Sequence, residues 1–291
     1  MTTETDFICA LRGLATHSAA RKLDDDAAVL DVGTETLVLT HDMMVEGVHF
    51  LSGQDAADVA WKLVATNLSD LAAKGAEPVG VLLGYTLGGD DARFVEGLSQ
   101  VLARYDMPLL GGDTVSGSPP RSYGLTALGR ASFRPVPSRS GAKAGDILYL
   151  SGPVGAAMMG YEALRDATGA DSAAYRRPEA LLAQGQALAP HVSAMMDVSD
   201  GLLLDARRMA LASGITLDID SASVPIAAPE CRRDDALRWG DDYQLLFTAP
   251  PHVRLPIPVH AIGRALPAGP VPLLLGGQAP DPQQSLGYEH H

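Results

Sequence analysis

A chain of 291 residues has room for one large domain or two ordinary ones, and 46% hydrophobic content is enough for a real core, which excludes disorder. A net charge of −13 repels nucleic-acid backbones and anionic membranes, so neither is expected as a partner. Two cysteines in unlike contexts, Cys9 and Cys231, exclude a disulfide framework and a thiolate metal site. The acidic, polar start at Met1–Asp6 lacks the features of a signal peptide, and no apolar run is long enough to span a bilayer. A soluble, cytoplasmic protein is expected.

Asp24-Asp25-Asp26 leads into an apolar stretch, and Leu37–Leu39 is strand-like, running through Thr40 and His41 to Asp42. Asp55–Lys74 predicts a helix with Val64, Leu68 and Leu71 on one face, Asn67, Asp70 and Lys74 on another, and a stop at Gly75. Val79–Leu87 reads as a buried strand and Ala92–Tyr105 as a helix. Leu109 and Leu110 lead into Gly111-Gly112-Asp113, and Ser122–Ala131 is strand-like. Residues 133–145, rich in Pro, Ser, Gly and basic side chains, break the periodicity and mark a junction. We expect an N-terminal domain over 1–137 and a C-terminal domain over 138–291.

Beyond the junction, Asp146–Leu150 reads as a strand, Ser151–Gly155 as a turn into a helix near Ala156–Asp166, and Pro178–Leu188 as a second helix. Asp197 ends an apolar stretch, and Asp200 is expected to cap a helix that Gly214 closes. Ile215–Ile219, Tyr243–Phe247 and Val259–Arg264 are strand candidates, and the proline-dense stretch Pro250–Pro282 is expected to be loop-rich. The terminal Glu289-His290-His291 is assigned no chemistry.

Three apolar runs close on an aspartate, Asp42, Asp113 and Asp197, while Asp24–Asp26 leads into another run and Asp70 follows Ser69 within a fifth segment. Charged oxygens on rigid supports are what a hard divalent cation needs, and such a cation bridges carboxylates to phosphates. Any one of these residues alone reads better as a turn or cap aspartate; the joint pattern points to phosphate chemistry if they converge. Gly111-Gly112-Asp113-Thr114 permits close approach to an anion but also fits a plain turn. Ser151–Gly155 matches no phosphate-loop fingerprint and reads better as a tight turn. Arg139 and Lys143 can meet a polyphosphate or remain solvated linker charge. His49 alone carries no assignment, and Trp239–Tyr243 is a turn that, in a cleft, can grip a heteroaromatic ligand.

In chain order, Val45-Glu46-Gly47-Val48-His49-Phe50, Asn67-Leu68-Ser69-Asp70-Leu71, Gly111-Gly112-Asp113-Thr114, Arg139–Asp146, Asp197-Val198-Ser199-Asp200-Gly201 and Gly240-Asp241-Asp242-Tyr243 together resemble the thiamine-monophosphate kinase family. The wider superfamily includes aminoimidazole ribonucleotide synthetase and selenophosphate synthetase. The resemblance implies a two-domain α/β (α+β) fold, with an N-terminal mixed sheet with helices and a C-terminal α/β domain. It also implies a homodimer, ATP as co-substrate, several Mg²⁺ ions, and transfer of the γ-phosphoryl to thiamine monophosphate. Carried over residue by residue, Asp26, Thr40, His41, Asp42, Asp70, Asp113, Asp197 and Asp200 are expected at the metals. Gly112, Asp113, Arg139 and Ser199 are expected at ATP, and His49 and Asp241 at the thiamine phosphate. No catalytic nucleophile or general base is expected, because the acceptor is already an anionic phosphate and transfer is direct. The chain departs from the family pattern at Asp24, His41, Asp241 and Ser285, which leaves Tyr288, Trp239 or Tyr243 to stack on the thiamine ring. A sister ATP-using synthetase and a non-catalytic nucleotide-binding scaffold are the alternatives.

Overall fold

The computed structural model describes residues 4–290, so Met1–Thr3 of the polar start and His291 lie outside the described residues. Among the described residues the chain builds two mixed sheets, one before and one after the junction. The first holds β1 (Ala28–Val32), β2 (Glu35–Val45), β3 (Ala76–Leu87), β4 (Leu109–Ser116) and β5 (Ser122–Ala131), in the order β1-β2-β5-β3-β4. Its pairs are antiparallel except β3 with β4. The helices α1 (Glu4–Arg12), α2 (Ala56–Ala73) and α3 (Asp91–Arg104) accompany it.

The second half adds β6 (Ile147–Leu150), α4 (Ala156–Arg165), α5 (Ala173–Arg176), α6 (Leu182–Leu188), β7 (Ala194–Asp197) and α7 (Leu202–Ser213). It continues with β8 (Thr216–Ile219), α8 (Arg233–Arg238), β9 (Leu245–Ala249), β10 (His260–Leu266) and β11 (Leu273–Leu275), and its sheet runs β11-β8-β10-β6-β9-β7.

The helix α2 is the structural axis. Asp55 caps it by accepting from the Ala57 N–H at 3.0 Å, and Lys74 is its C-cap. Sequence periodicity implied one apolar face, yet nearly all of α2 is buried. Leu63, Leu68 and Leu71 pack into the first core, while Ala72 and Ala73 join Leu188, Met195, Leu245 and Phe247 of the second half. Small side chains make that contact possible: a Cβ on Gly185 of α6 would stand 1.9 Å from the Ala72 carbonyl oxygen. Polar groups on α2 therefore sit between the two halves.

Several expectations change. Asp42 and Asp113 lie inside β2 and β4, not at strand ends, because Met43-Met44-Val45 and Thr114-Val115-Ser116 after them continue the ladder. Residues 178–181 stay outside α6, and β11 forms within the proline-dense stretch. Asp200 does not cap α7; the adjoining N–H groups of Ser199 and Asp200 are taken by Asp205, at 3.1 and 3.0 Å. Gly214 does close α7. No helix among the described residues is long and apolar enough to cross a membrane.

Candidate active site

A cleft of about 1380 Å³ opens between the two halves. Its acidic end is built from Thr40 and Asp42 on β2, Asp70 on α2, Asp26 before β1, and Asp197 closing β7. Carboxylate oxygens of Asp26, Asp70 and Asp197 lie within 4.8 Å of one another. At that spacing two ionised carboxylates repel by about 3.5 kcal/mol even with an effective dielectric near 20.

The acids divide by their partners. Asp26 accepts from Lys74 at 2.6 Å and from the Arg139 guanidinium, and neighbouring Asp25 is paired with Lys74 and Arg21. Burial works to raise the pKa of Asp26, but Arg139 and Lys74 outweigh it and hold the carboxyl below the ordinary value. Among the described residues Asp42, Asp70 and Asp197 have no such cation. Burial, reinforced by Asp26, pushes Asp197 up to about 8, although Ser69 donates to it at 2.5 Å. Burial with Asp26 and Asp200 pushes Asp42 up to about 6. Burial with Asp42 and Asp197 drives Asp70 well above the ordinary range, against a hydrogen bond from Thr40.

Not every expected metal residue joins this cluster. Along β2 side chains alternate, so Thr40 and Asp42 face α2 while His41 turns to the other face, its Nδ1 2.8 Å from Thr126 Oγ1. Asp113 is exposed on edge strand β4. The register Asp113–Gly84–Gly124–Met43 sets it three strands from β2, about 14 Å away at normal strand spacing. Gly112 lets β4 approach β3, since a Cβ there would meet the Leu83 carbonyl oxygen at 1.9 Å. Asp200 pairs with Arg208, and Ser199 lines the cleft beside it. Lys143 is exposed, and the N-terminus of α4 is occupied by Asp242, which accepts from Gly155 at 2.6 Å and Ala157 at 3.1 Å. The Ser151–Gly155 turn is thus a turn and no open anion site.

The other end of the cleft brings His49 and Asp241 together. Lys62 of α2, 1% exposed, donates to the His49 carbonyl at 3.0 Å and to Asp241 at 2.7 Å, and its ammonium lies 3.9 Å from the centre of the Tyr175 ring. Tyr243 donates its hydroxyl to Asp241 at 2.8 Å. Asp241 and Tyr243 both hold left-handed backbone, at φ 64° and 50°, a conformation uncommon for non-glycine residues. His49 Nδ1 accepts from the Val45 N–H at 3.0 Å, and burial, then His290, lowers its pKa. The neutral ring therefore carries its proton on Nε2. Trp239, Tyr161, Tyr175 and Tyr288 line the walls.

Residues 24–131 match the family model described as AIR synthase related protein, N-terminal domain, and residues 143–255 match its C-terminal domain. The thiamine-monophosphate kinase of Caulobacter vibrioides is 40% identical over 273 residues, covering 86% of this chain and 78% of that one. The chain belongs to the thiamine-monophosphate kinase family. Among solved structures of such kinases, that from Stenotrophomonas maltophilia K279a is 32% identical, with a TM-score of 0.77 over 94% of this chain and 96% of its own. "AaThiL complexed with AMPPCP and TMP" superposes with a TM-score of 0.88 at 26% identity, over 99% of this chain and 97% of its own. The two-domain mixed α/β fold expected from the sequence is thereby established.

Sequence reading of this kinase missed Lys62, Asp205, Tyr161 and Tyr175. It noted Lys74 only as a helix-face residue. A cation inside an otherwise apolar helix was the available signal: Lys62 and Lys74 stand one on each side of the Asn67–Asp70 motif.

Proposed function

We propose that this chain phosphorylates thiamine monophosphate with ATP by direct in-line transfer, with Mg²⁺ held among Asp26, Asp42, Asp70 and Asp197. The observation that carries this reading is the convergence of three carboxylates within 4.8 Å at one end of a cleft whose other end joins His49 to Asp241. The donor set fits Mg²⁺: hard oxygens on a strand, a helix and a strand end, with too few internal cations to neutralise them. When bound, Mg²⁺ supplies the positive charge that lets two phosphates approach.

The chain's own groups do the rest. Arg139, with its fork bonded to Asp26 and a buried Nε without a partner, would set a fixed cation beside the polyphosphate. The acceptor phosphate is anionic near neutral pH, so positioning substitutes for a general base. His49 offers its Nε2 proton to that phosphate. Asp241 and the aromatic walls hold the heteroaromatic rings. A cytoplasmic setting, where ATP is at hand, goes with this reading.

We also propose a homodimer. The outer face of the first sheet exposes Met43, Leu82 and Val115 beside Asp113. Burying that face against a second copy would bring Gly112 and Asp113 toward the other subunit's acids, the distance they cannot cover within one chain. The test is incubation with ATP, Mg²⁺ and thiamine monophosphate, followed by product identification. Thiamine diphosphate and ADP are expected in equal amounts with no labelled protein. ADP without thiamine diphosphate, or a stable ³²P-enzyme, overturns the reading.

A further inference from the structure

Lys74 stands apart from other lysines of the chain. Its side chain is 0% exposed, and its ammonium donates to Asp25, to Asp26 at 2.6 Å and to the Met195 carbonyl at 3.4 Å. Three donors meet three oxygens, so this cation neither dissociates nor seeks water. Asp26 is thereby claimed on both oxygens, by Lys74 on one and Arg139 on the other. Asp70 and Asp197, its two neighbours in the cluster, receive only the hydroxyls of Thr40 and Ser69. One cluster thus contains an acid neutralised from within and two that are not.

We infer that Lys74 is a tethered cation standing in the acidic cradle for one of the positive charges a divalent ion would otherwise supply. It fixes which acids call for metal in the resting enzyme, namely Asp42, Asp70 and Asp197. It also links the halves, since Asp25 and Asp26 precede β1, Lys74 ends α2 and Met195 lies on β7. A buried pair broken by loss of one partner is strongly destabilising, because the other charge stays behind. Above the pH at which the freed acids take up protons, a divalent metal is the species suited to replace the missing charge there. The inference rests on the cradle being a Mg²⁺ site.

The experiment compares the full-length wild type, K74M and the double variant D25N/K74M. Melting is followed in EDTA and in Mg²⁺, and Mn²⁺ alone, without nucleotide, is titrated by electron paramagnetic resonance. K74M is expected to melt roughly 10 °C below wild type in EDTA, to regain most of that in Mg²⁺, and to bind Mn²⁺ about tenfold more tightly. The double variant, with one acid removed along with the cation, is expected to fold in EDTA even if K74M does not. Equal melting of K74M and wild type in EDTA overturns the inference, as does a loss that saturating Mg²⁺ leaves untouched or a double variant that stays unfolded. Failure of the wild type to take up Mn²⁺ would instead overturn the cradle itself.

Discussion

The two ends of the cleft solve opposite problems. At the His49–Asp241 end the charged groups are paired: Lys62 meets Asp241 and the His49 carbonyl, Tyr243 meets Asp241, and Tyr175 donates to the His49 carbonyl at 3.2 Å. At the acidic end Asp42, Asp70 and Asp197 have no cation among the described residues, and burial and repulsion among the acids raise their pKa values, so that they hold protons where no metal is bound. One end is preorganised and electrically closed. The other lacks positive charge, which protons or incoming metal cations supply, so affinity for them is stored in the fold itself. Because Asp70 belongs to the first half and Asp197 to the second, relieving that deficit also draws the halves together.

The largest effect should follow from removing charge at the open end. Asp70→Asn is expected to lower turnover by at least about 100-fold, while the metal-free protein melts higher than wild type because repulsion is gone. Near-normal turnover at saturating Mg²⁺ would abolish the distinction between the ends. Asp113 sharpens it. Asp113→Ala alone should be similarly inactive, yet mixed dimers of Asp70→Asn and Asp113→Ala chains carry one intact site. Co-expression of the two should restore about a quarter of wild-type turnover. No recovery would show that Asp113 does not act across a subunit interface.

At the closed end the expected change is smaller and of another kind. Lys62→Met leaves the partly buried Asp241 facing an uncharged thioether chain where its cation stood. Loss of a charged hydrogen bond of this type is worth roughly a 10- to 100-fold rise in KM for thiamine monophosphate. The kcat and the KM for ATP should hold within about threefold, and Lys62→Arg should recover part of the loss. Parallel changes in the KM of both substrates would mean the two ends are not separable.

How much of this was legible beforehand differs between the same two ends. Local signals located the frame: Asp55 at the start of α2, Lys74 at its end, and the limits of β5 are where side-chain chemistry and periodicity put them. The acids were legible as motifs, and Asp26, Asp70 and Asp197 do converge. Their charge state was not, because it depends on pairings such as Lys74 with Asp25 and Arg139 with Asp26, between segments far apart in sequence. Periodicity saw one apolar face on α2 because it cannot register a second domain packing on the other side. The same blindness hid Lys62, whose partner Asp241 lies 179 positions away. His41 and Asp113 were grouped with the cradle by motif; His41 lines the cleft but strand alternation turns its side chain to the other face, and sheet order puts Asp113 at the far edge.

The least dramatic test is also the one that reads the charge deficit directly. In EDTA, Asp42 with its pKa raised to about 6 and Asp197 with its raised to about 8 bind protons that the unfolded chain, with carboxylates near 3.8, has already released. The folded state then holds more protons than the unfolded one, so stability falls as pH rises through this window. It is fully favoured below about pH 4 as far as these two groups are concerned, and the benefit is spent by about pH 8. Melting of the metal-free protein is expected to drop on the order of 5 °C between pH 5 and pH 8 from this source. Asp197→Asn should flatten the slope, and saturating Mg²⁺ should flatten it too, since a bound cation replaces the proton. A metal-free profile that rises over the same interval would mean that these carboxylates are compensated after all, and the contrast between the two ends of the cleft would lose its physical basis.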